Sequence, residues 1–424
     1  MIEIAYGRTR LSVDLPAAIS WQPLQTPAVE PEESESALLE KAIESLMQQL
    51  AARPLHRGDR LLLVVPDHTR KCRLSEWLPL LLDELSRRFQ PVVEILIANG
   101  SHRLQPESVV ADLVGDAVYR RVRVTQHDAF CQSEMRFVGA TDAGTPIWLN
   151  RRVLEADCVV TIGGVLFHYF AGYGGGPKML LPGVAGFETI RLNHRRTIDF
   201  SRKEMAQNCR EGEIAANPVY RDLVQVLDFV PHVLSLQLVL DADGRIHFAQ
   251  AGPVVASQEQ AIRKVQQLYR IPLQEQADVV LASAGGFPGD VNLIQSHKAI
   301  HHAYRAVRPG GILVVYAECA EGIGSSTFMP YFSHDSSAAI VEALLSDYQL
   351  NGHTALSLKR KTETVRLFLV SSLPAEQVRR IGMIPLKPTD SLWQEVVFQA
   401  PAKGLIFPQA AYYLPICENC ALVS

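Results

Sequence analysis

The residues with chemistry to offer fall into four clusters, each directly behind an apolar run. The densest covers residues 163–178. Six glycines occupy residues 163–176, interleaved with Phe167, His168, Tyr169, Phe170 and Tyr173. Glycines so closely spaced leave backbone amides bare enough to line a phosphate. Lys178 closes the loop with a charge or a nucleophilic amine, and His194 follows after Pro182-Gly183. The pattern is not a P-loop, because Pro177 precedes Lys178 and Met179 follows it. Nor does a Gly-x-Gly-x-x-Gly open a helix here, so the dinucleotide fingerprint is absent. A flexible linker would not carry four large aromatic residues.

The other three clusters are shorter. Asp67-His68-Thr69-Arg70 offers an acceptor, a hydroxyl and a fork-shaped cation suited to a small anion. Asn99-Gly100-Ser101-His102-Arg103 carries a histidine, the side chain suited to proton exchange near neutrality. In residues 285–298, Gln295 and Lys298 stand three apart on a helical pattern and so share a face, where an amide and a cation suit a carboxylate. Cys417 and Cys420 make one Cys-x-x-Cys pair, too few ligands for structural zinc, and read as tail packing.

These clusters need a sheet edge to bring them together. Residues 61–65 form a continuous apolar run, as in a strand buried on both faces. Strands are expected again at 92–98, 122–125 and 159–162, with helices at 39–50 and 76–89, the latter capped by Ser75. A second unit of the same kind begins near 277, with strands at 279–282 and 312–315 around a helix at 292–307. Such alternation predicts an α/β fold of two domains, each a mainly parallel sheet flanked by helices. Ligands of open parallel sheets sit at the carboxyl ends of the strands, and the active site is expected in the interdomain cleft. The boundaries expected are 1–270 for the first domain, with 398–424 packing back onto it, and 271–397 for the second.

Composition narrows the classes. The chain has 424 residues, of which 47% are hydrophobic, and a net charge of −4. That is ordinary for a globular enzyme and gives no electrostatic footprint for nucleic acid. No apolar run reaches the ~18–20 residues of a membrane helix, the first residues do not read as a secretory signal, and seven scattered cysteines do not form a disulfide framework. A cytoplasmic location is expected, with neither nucleic acid nor membrane as partner.

Taken together, Asp67-His68-Thr69-Arg70, Gly100-Ser101-His102-Arg103, His168-x₃-Gly172, Gly-Gly-x-Lys178, Leu181-Pro182-Gly183, Asn193-His194 and Gln295-Ser296-x-Lys298 resemble the nickel-dependent lactate racemase family in order and spacing from about residue 60 to 325. The resemblance implies a racemase or epimerase that inverts C2 of a 2-hydroxy acid by proton-coupled hydride transfer through a 2-keto acid. It implies a nickel-pincer nucleotide, Ni(II)-pyridinium-3,5-bisthiocarboxylate mononucleotide, supplied by cofactor-biosynthesis proteins. By position, Lys178 matches the lysine to which that cofactor can be tethered, and His194 the protein ligand of the nickel. His102 and His168 match the catalytic acid/bases. Asp67, His68, Thr69 and Arg70 match a cofactor-contacting segment, and Arg70, Gln295 and Lys298 match substrate contacts, the last two from the second domain. The resemblance allows a homodimer.

Two positions depart from the family pattern: Lys71 stands where it has Pro, and Ile294 where it has Tyr. Both border the expected substrate and allow a 2-hydroxy acid other than lactate. Two other readings use the same residues. One is a zinc hydrolase or lyase with His102, His168 and His194 as ligands; the other is a non-catalytic cofactor carrier.

Overall fold

The apolar run at 61–65 lies in the strand Arg60–Pro66, buried on both faces. This strand sits inside a six-stranded sheet in the computed structural model, which describes residues 1–27, 29–53, 55–70, 72–389 and 402–417. Lys71 and Cys420 lie outside these. Across the sheet the order is Ile246–Gly252, Val233–Leu240, Cys158–Gly164, Arg60–Pro66, Val92–Ala98 and Arg123–Gln126. Only the first two neighbours are antiparallel. Helix Glu35–Ala52 buries Ile43, Leu46, Met47 and Leu50 in the same core, the face its three- and four-residue spacing predicts. Ser34 caps it by accepting from the Ala37 amide at 3.3 Å. The next helix, Leu74–Arg88, starts earlier than expected and is not capped by Ser75; Arg73, at φ +49°, precedes it. Leu46, Leu63 and Leu85 are wholly enclosed, and truncating a leucine in such a place costs ~2–5 kcal/mol.

The second sheet also has six strands, in the order Ile384–Leu386, Arg366–Val370, Val307–Tyr316, Ala277–Ser283, Ala402–Phe407 and Ile19–Pro23. All are parallel. The fold is therefore α/β, with two units each built on a mainly parallel sheet and helices. One unit is Val29–Thr197 with Asn208–Gln267; the other is Met1–Ala28, Ile198–Gln207 and Leu268–Ser424. They are called here the N-terminal and C-terminal units.

Chain order misleads at both ends. The first 28 residues group with the C-terminal unit because Ile19–Pro23 hydrogen-bonds along Ala402–Phe407. Ala402–Phe407 in turn pairs with Ala277–Ser283, so the described part of the tail belongs to that sheet and groups with the C-terminal unit, where the sequence assigned it to the first domain. Backbone pairing decides both placements, since an edge left open exposes a row of unpaired amides and carbonyls. Tyr412 and Tyr413 pack on Tyr269, with ring centroids 6.2 and 5.4 Å away. Cys72, Cys131, Cys158, Cys209 and Cys319 are free thiols, and Cys417 is disulfide-bonded.

Candidate active site

Three adjacent parallel strands of the N-terminal unit end at the same sheet edge. Pro66 pairs with Ala98, and Val64 with Thr161, so Asp67, Asn99 and Gly164 emerge side by side. This is the edge where parallel sheets bind ligands.

Asp67 is 4% exposed, and a carboxylate so enclosed is stable only with partners. It has them. Its Oδ2 meets His102 Nδ1 at 2.5 Å, and its Oδ1 accepts from the Thr69 amide at 3.1 Å and the Thr69 hydroxyl at 2.6 Å. Burial alone would raise its pKa. The His102 hydrogen bond, then the charges of His102 and Arg70, overcome that and hold the carboxyl well below the usual range. Gly100, at φ +55°, makes the tight turn that brings His102 back, and its amide donates to Gly183 O at 3.0 Å. The His102 loop is thus tied to the Pro182-Gly183 turn that follows Lys178.

Phe170 is the hub of the second half of the site. His168 stands edge-on to its ring at 4.5 Å between centroids, and His194 at 4.9 Å. The Lys178 ammonium lies 5.4 Å from the same centroid. Three residues carried on different elements therefore converge on one aromatic ring. The hairpin of Phe167–His168 with Gly172–Tyr173 carries the first, the short 3₁₀ turn Gly176–Met179 the third, and helix Phe187–Arg195 the second. Burial, then the nearby Arg70 charge, push Lys178 from 10.5 down to about 7. Among the described residues neither Lys178 nor Arg70 meets a carboxylate through its side chain. His68 Nδ1 is buried without a hydrogen-bond partner there.

The glycines do a different job from the phosphate cradle read in the sequence. The Gly174 amide donates to Leu166 O, the Gly176 amide to Gln237 Oε1 and the Lys178 amide to Gly175 O, so these donors are already used. The glycines are needed for close packing: a Cβ on Gly176 would stand 2.3 Å from Gln258 Cδ, and one on Gly175 2.6 Å from Gln237 Oε1. Gln237 and Gln258 went unread, although Ser235 and Gln237 interrupt an apolar strand on one face, which marks a buried polar contact. Asp222 was missed too. It is buried and accepts from Thr141, Thr145 and Arg196 at 2.8, 2.6 and 2.6 Å, and so anchors the end of the helix bearing His194. No motif marks it.

In the C-terminal unit, helix Leu293–Tyr304 follows a loop behind Ala277–Ser283 and is capped by Asn292, which accepts from the Gln295 amide at 3.0 Å. Lys298 Nζ donates to Gln295 Oε1 at 3.0 Å, so the two share a face as their spacing predicts. Ile294 packs against the core of that unit. Among the described residues no group of three or more His, Cys, Asp or Glu is placed to hold a metal, which removes the ligand set of the three-histidine zinc reading. No helix among them is long and apolar enough to cross a membrane.

The family model described as the lactate racemase N-terminal domain matches residues 6–206, and that of the lactate racemase C-terminal domain matches 273–355. A lactate racemase of Thermoanaerobacterium thermosaccharolyticum is 30% identical over 335 residues, covering 78% of this chain and 77% of its own. One of Lactiplantibacillus plantarum is 28% identical, covering 70% and 69%. The lactate racemase apoprotein structure from T. thermosaccharolyticum superposes with a TM-score of 0.85 at 26% identity, over 98% of this chain and 99% of that one. A Thermotoga maritima protein matches with a TM-score of 0.69 at 16% identity, over 92% and 99%, a likeness of fold alone.

Proposed function

Because the chain belongs to the lactate racemase family, we propose that this racemase inverts the C2 stereocentre of a 2-hydroxy acid through a 2-keto acid, using His102 and His168 as acid/bases. Direct removal of the C2 proton would leave a carbanion beside a carboxylate, which stabilises it poorly. Bound at this site, the nickel-pincer nucleotide supplies a hydride acceptor and so avoids that anion. The residues fit such a group. The Arg70 guanidinium suits an anionic mononucleotide, and the Lys178 amine, pushed down to about 7 by burial and by Arg70, suits a tether. His68 Nδ1 is a buried atom awaiting a partner. His194, edge-on to Phe170 beside His168, would be the protein ligand of the metal.

One histidine takes the hydroxyl proton; after the keto acid turns, the other returns a proton from the opposite side. Each transfer is worth ~10²–10⁴-fold in rate. Arg70 holds the carboxylate meanwhile. The observation that carries this reading is the convergence of His168, His194 and Lys178 on Phe170. A carrier would need only the lysine and the metal ligand, whereas here a buried carboxylate also grips His102. Chiral analysis of a panel of 2-hydroxy acids, incubated with cofactor-loaded enzyme, tests it. At least one acid is expected to racemise, and His102→Ala and His168→Ala are expected to stop it while the cofactor stays bound. A loaded enzyme inert toward the whole panel would favour the carrier.

A further inference from the structure

Asp67 and His102 are joined in a way that fixes more than position. Both carboxylate oxygens are committed, Oδ2 to His102 Nδ1 at 2.5 Å and Oδ1 to two Thr69 donors. A carboxylate accepts only, so the ring carries a proton on Nδ1 and a neutral His102 leaves Nε2 as an acceptor. The side chain is 43% exposed while Asp67 is 4% exposed, so the ring reaches from an enclosed anion to open space. His168 is held the other way round. Its Nδ1 accepts from the Ala171 amide at 3.3 Å, which puts the proton of the neutral ring on Nε2. Two different partners thus hold the two imidazoles in opposite tautomers.

We propose that Asp67 is a positioning residue that keeps His102 in its proton-accepting tautomer, so that its Nε2 takes the hydroxyl proton of the enantiomer that His102 faces. In that step the O–H bond breaks and its proton goes to Nε2. The electron pair left on oxygen becomes the C=O bond as hydride leaves C2, which a hydride-accepting cofactor held at this site would receive. Asp67 keeps the Nδ1 proton and stabilises the imidazolium formed. The role rests on the reaction proposed above; the orientation rests on the hydrogen bonds of the protein itself.

The test is Asp67→Asn. Both Thr69 donors point at Oδ1, so the asparagine keeps its oxygen there and turns its NH₂ toward His102. Nδ1 must then accept, and Nε2 carries the proton. Nitrogen-15 NMR of histidine-labelled protein is expected to show His102 protonated on Nδ1 in the wild type and on Nε2 in the variant. Turnover of the racemised acid is expected to fall ~10²–10⁴-fold in kcat with little change in KM. Wild-type His102 protonated on Nε2, an unflipped ring in the variant, or a flipped ring with unchanged turnover each overturns the proposal. If the variant does not fold, the wild-type spectrum alone decides the tautomer. A flipped ring beside a wild type that racemises nothing sinks the reaction proposed above and leaves the orientation of His102 standing.

Discussion

Lys178 carries the clearest electrostatic tension among the site residues. An amine shifted from 10.5 to about 7 by burial and by Arg70 is neutral in the folded protein where the unfolded chain still binds a proton. Between about pH 7 and 10.5 the unfolded state therefore holds the extra proton, and stability rises with pH. Below about pH 7 the folded state must protonate a desolvated amine, and the penalty is fully present. Urea denaturation of the cofactor-free protein is expected to show stability climbing across pH 7 to 9.5, and Lys178→Met is expected to flatten the climb. Equal slopes in the two proteins would mean that the amine is better solvated than its surroundings suggest. The lysine and the histidines were legible in the sequence because few other residue types do their chemistry. Phe170, on which they converge, was legible only as an aromatic in a glycine-rich loop. Its role depends on a hairpin, a 3₁₀ turn and a helix meeting at one ring, which no spacing encodes.

The glycine-rich segment shows how an element can be located correctly and its cause misread. Density of glycine marked the loop, but bare amides were the wrong reason: Gly174 and Gly176 donate within the unit, and the missing side chains make room for Gln237 and Gln258. Gly176 sits at φ +54°, with Gln258 where its Cβ would be. Gln258 in turn donates to Gly174 O at 3.0 Å and accepts from the Tyr220 hydroxyl at 2.6 Å. Gly176→Ala is expected to cost ~1–3 kcal/mol in backbone strain and ~1–3 kcal/mol more if the displaced amide leaves a buried group unpaired, seen as a lower melting temperature. In a Gln258→Ala background the second part should vanish. A double-mutant cycle with no coupling between the two positions would place the cost in the backbone alone.

At the scale of the whole molecule, the alternation of apolar runs and helical patterns was enough to read two α/β units, because both-face burial writes itself into consecutive residues. Strand order was not readable, since pairing partners are remote in sequence. The N-terminal segment is the sharpest case. Ile19–Pro23 closes the edge of the C-terminal sheet, with Trp21 opposite Gly404 in register. A Cβ on Gly404 would stand 2.5 Å from Trp21 Cε3 and 2.6 Å from Ile19 Cγ2, so the glycine makes room for both side chains of the neighbouring strand. Gly404→Ala should therefore lever Ile19–Pro23 off the sheet without touching the N-terminal unit. Hydrogen exchange read by mass spectrometry is expected to show amides 19–22 losing protection while those of residues 60–65 keep theirs. Trp21→Ala in the same chain removes the larger of the two obstacles and should return part of the protection. If amides 19–22 stay protected in Gly404→Ala alone, the strand is held by contacts other than this pairing.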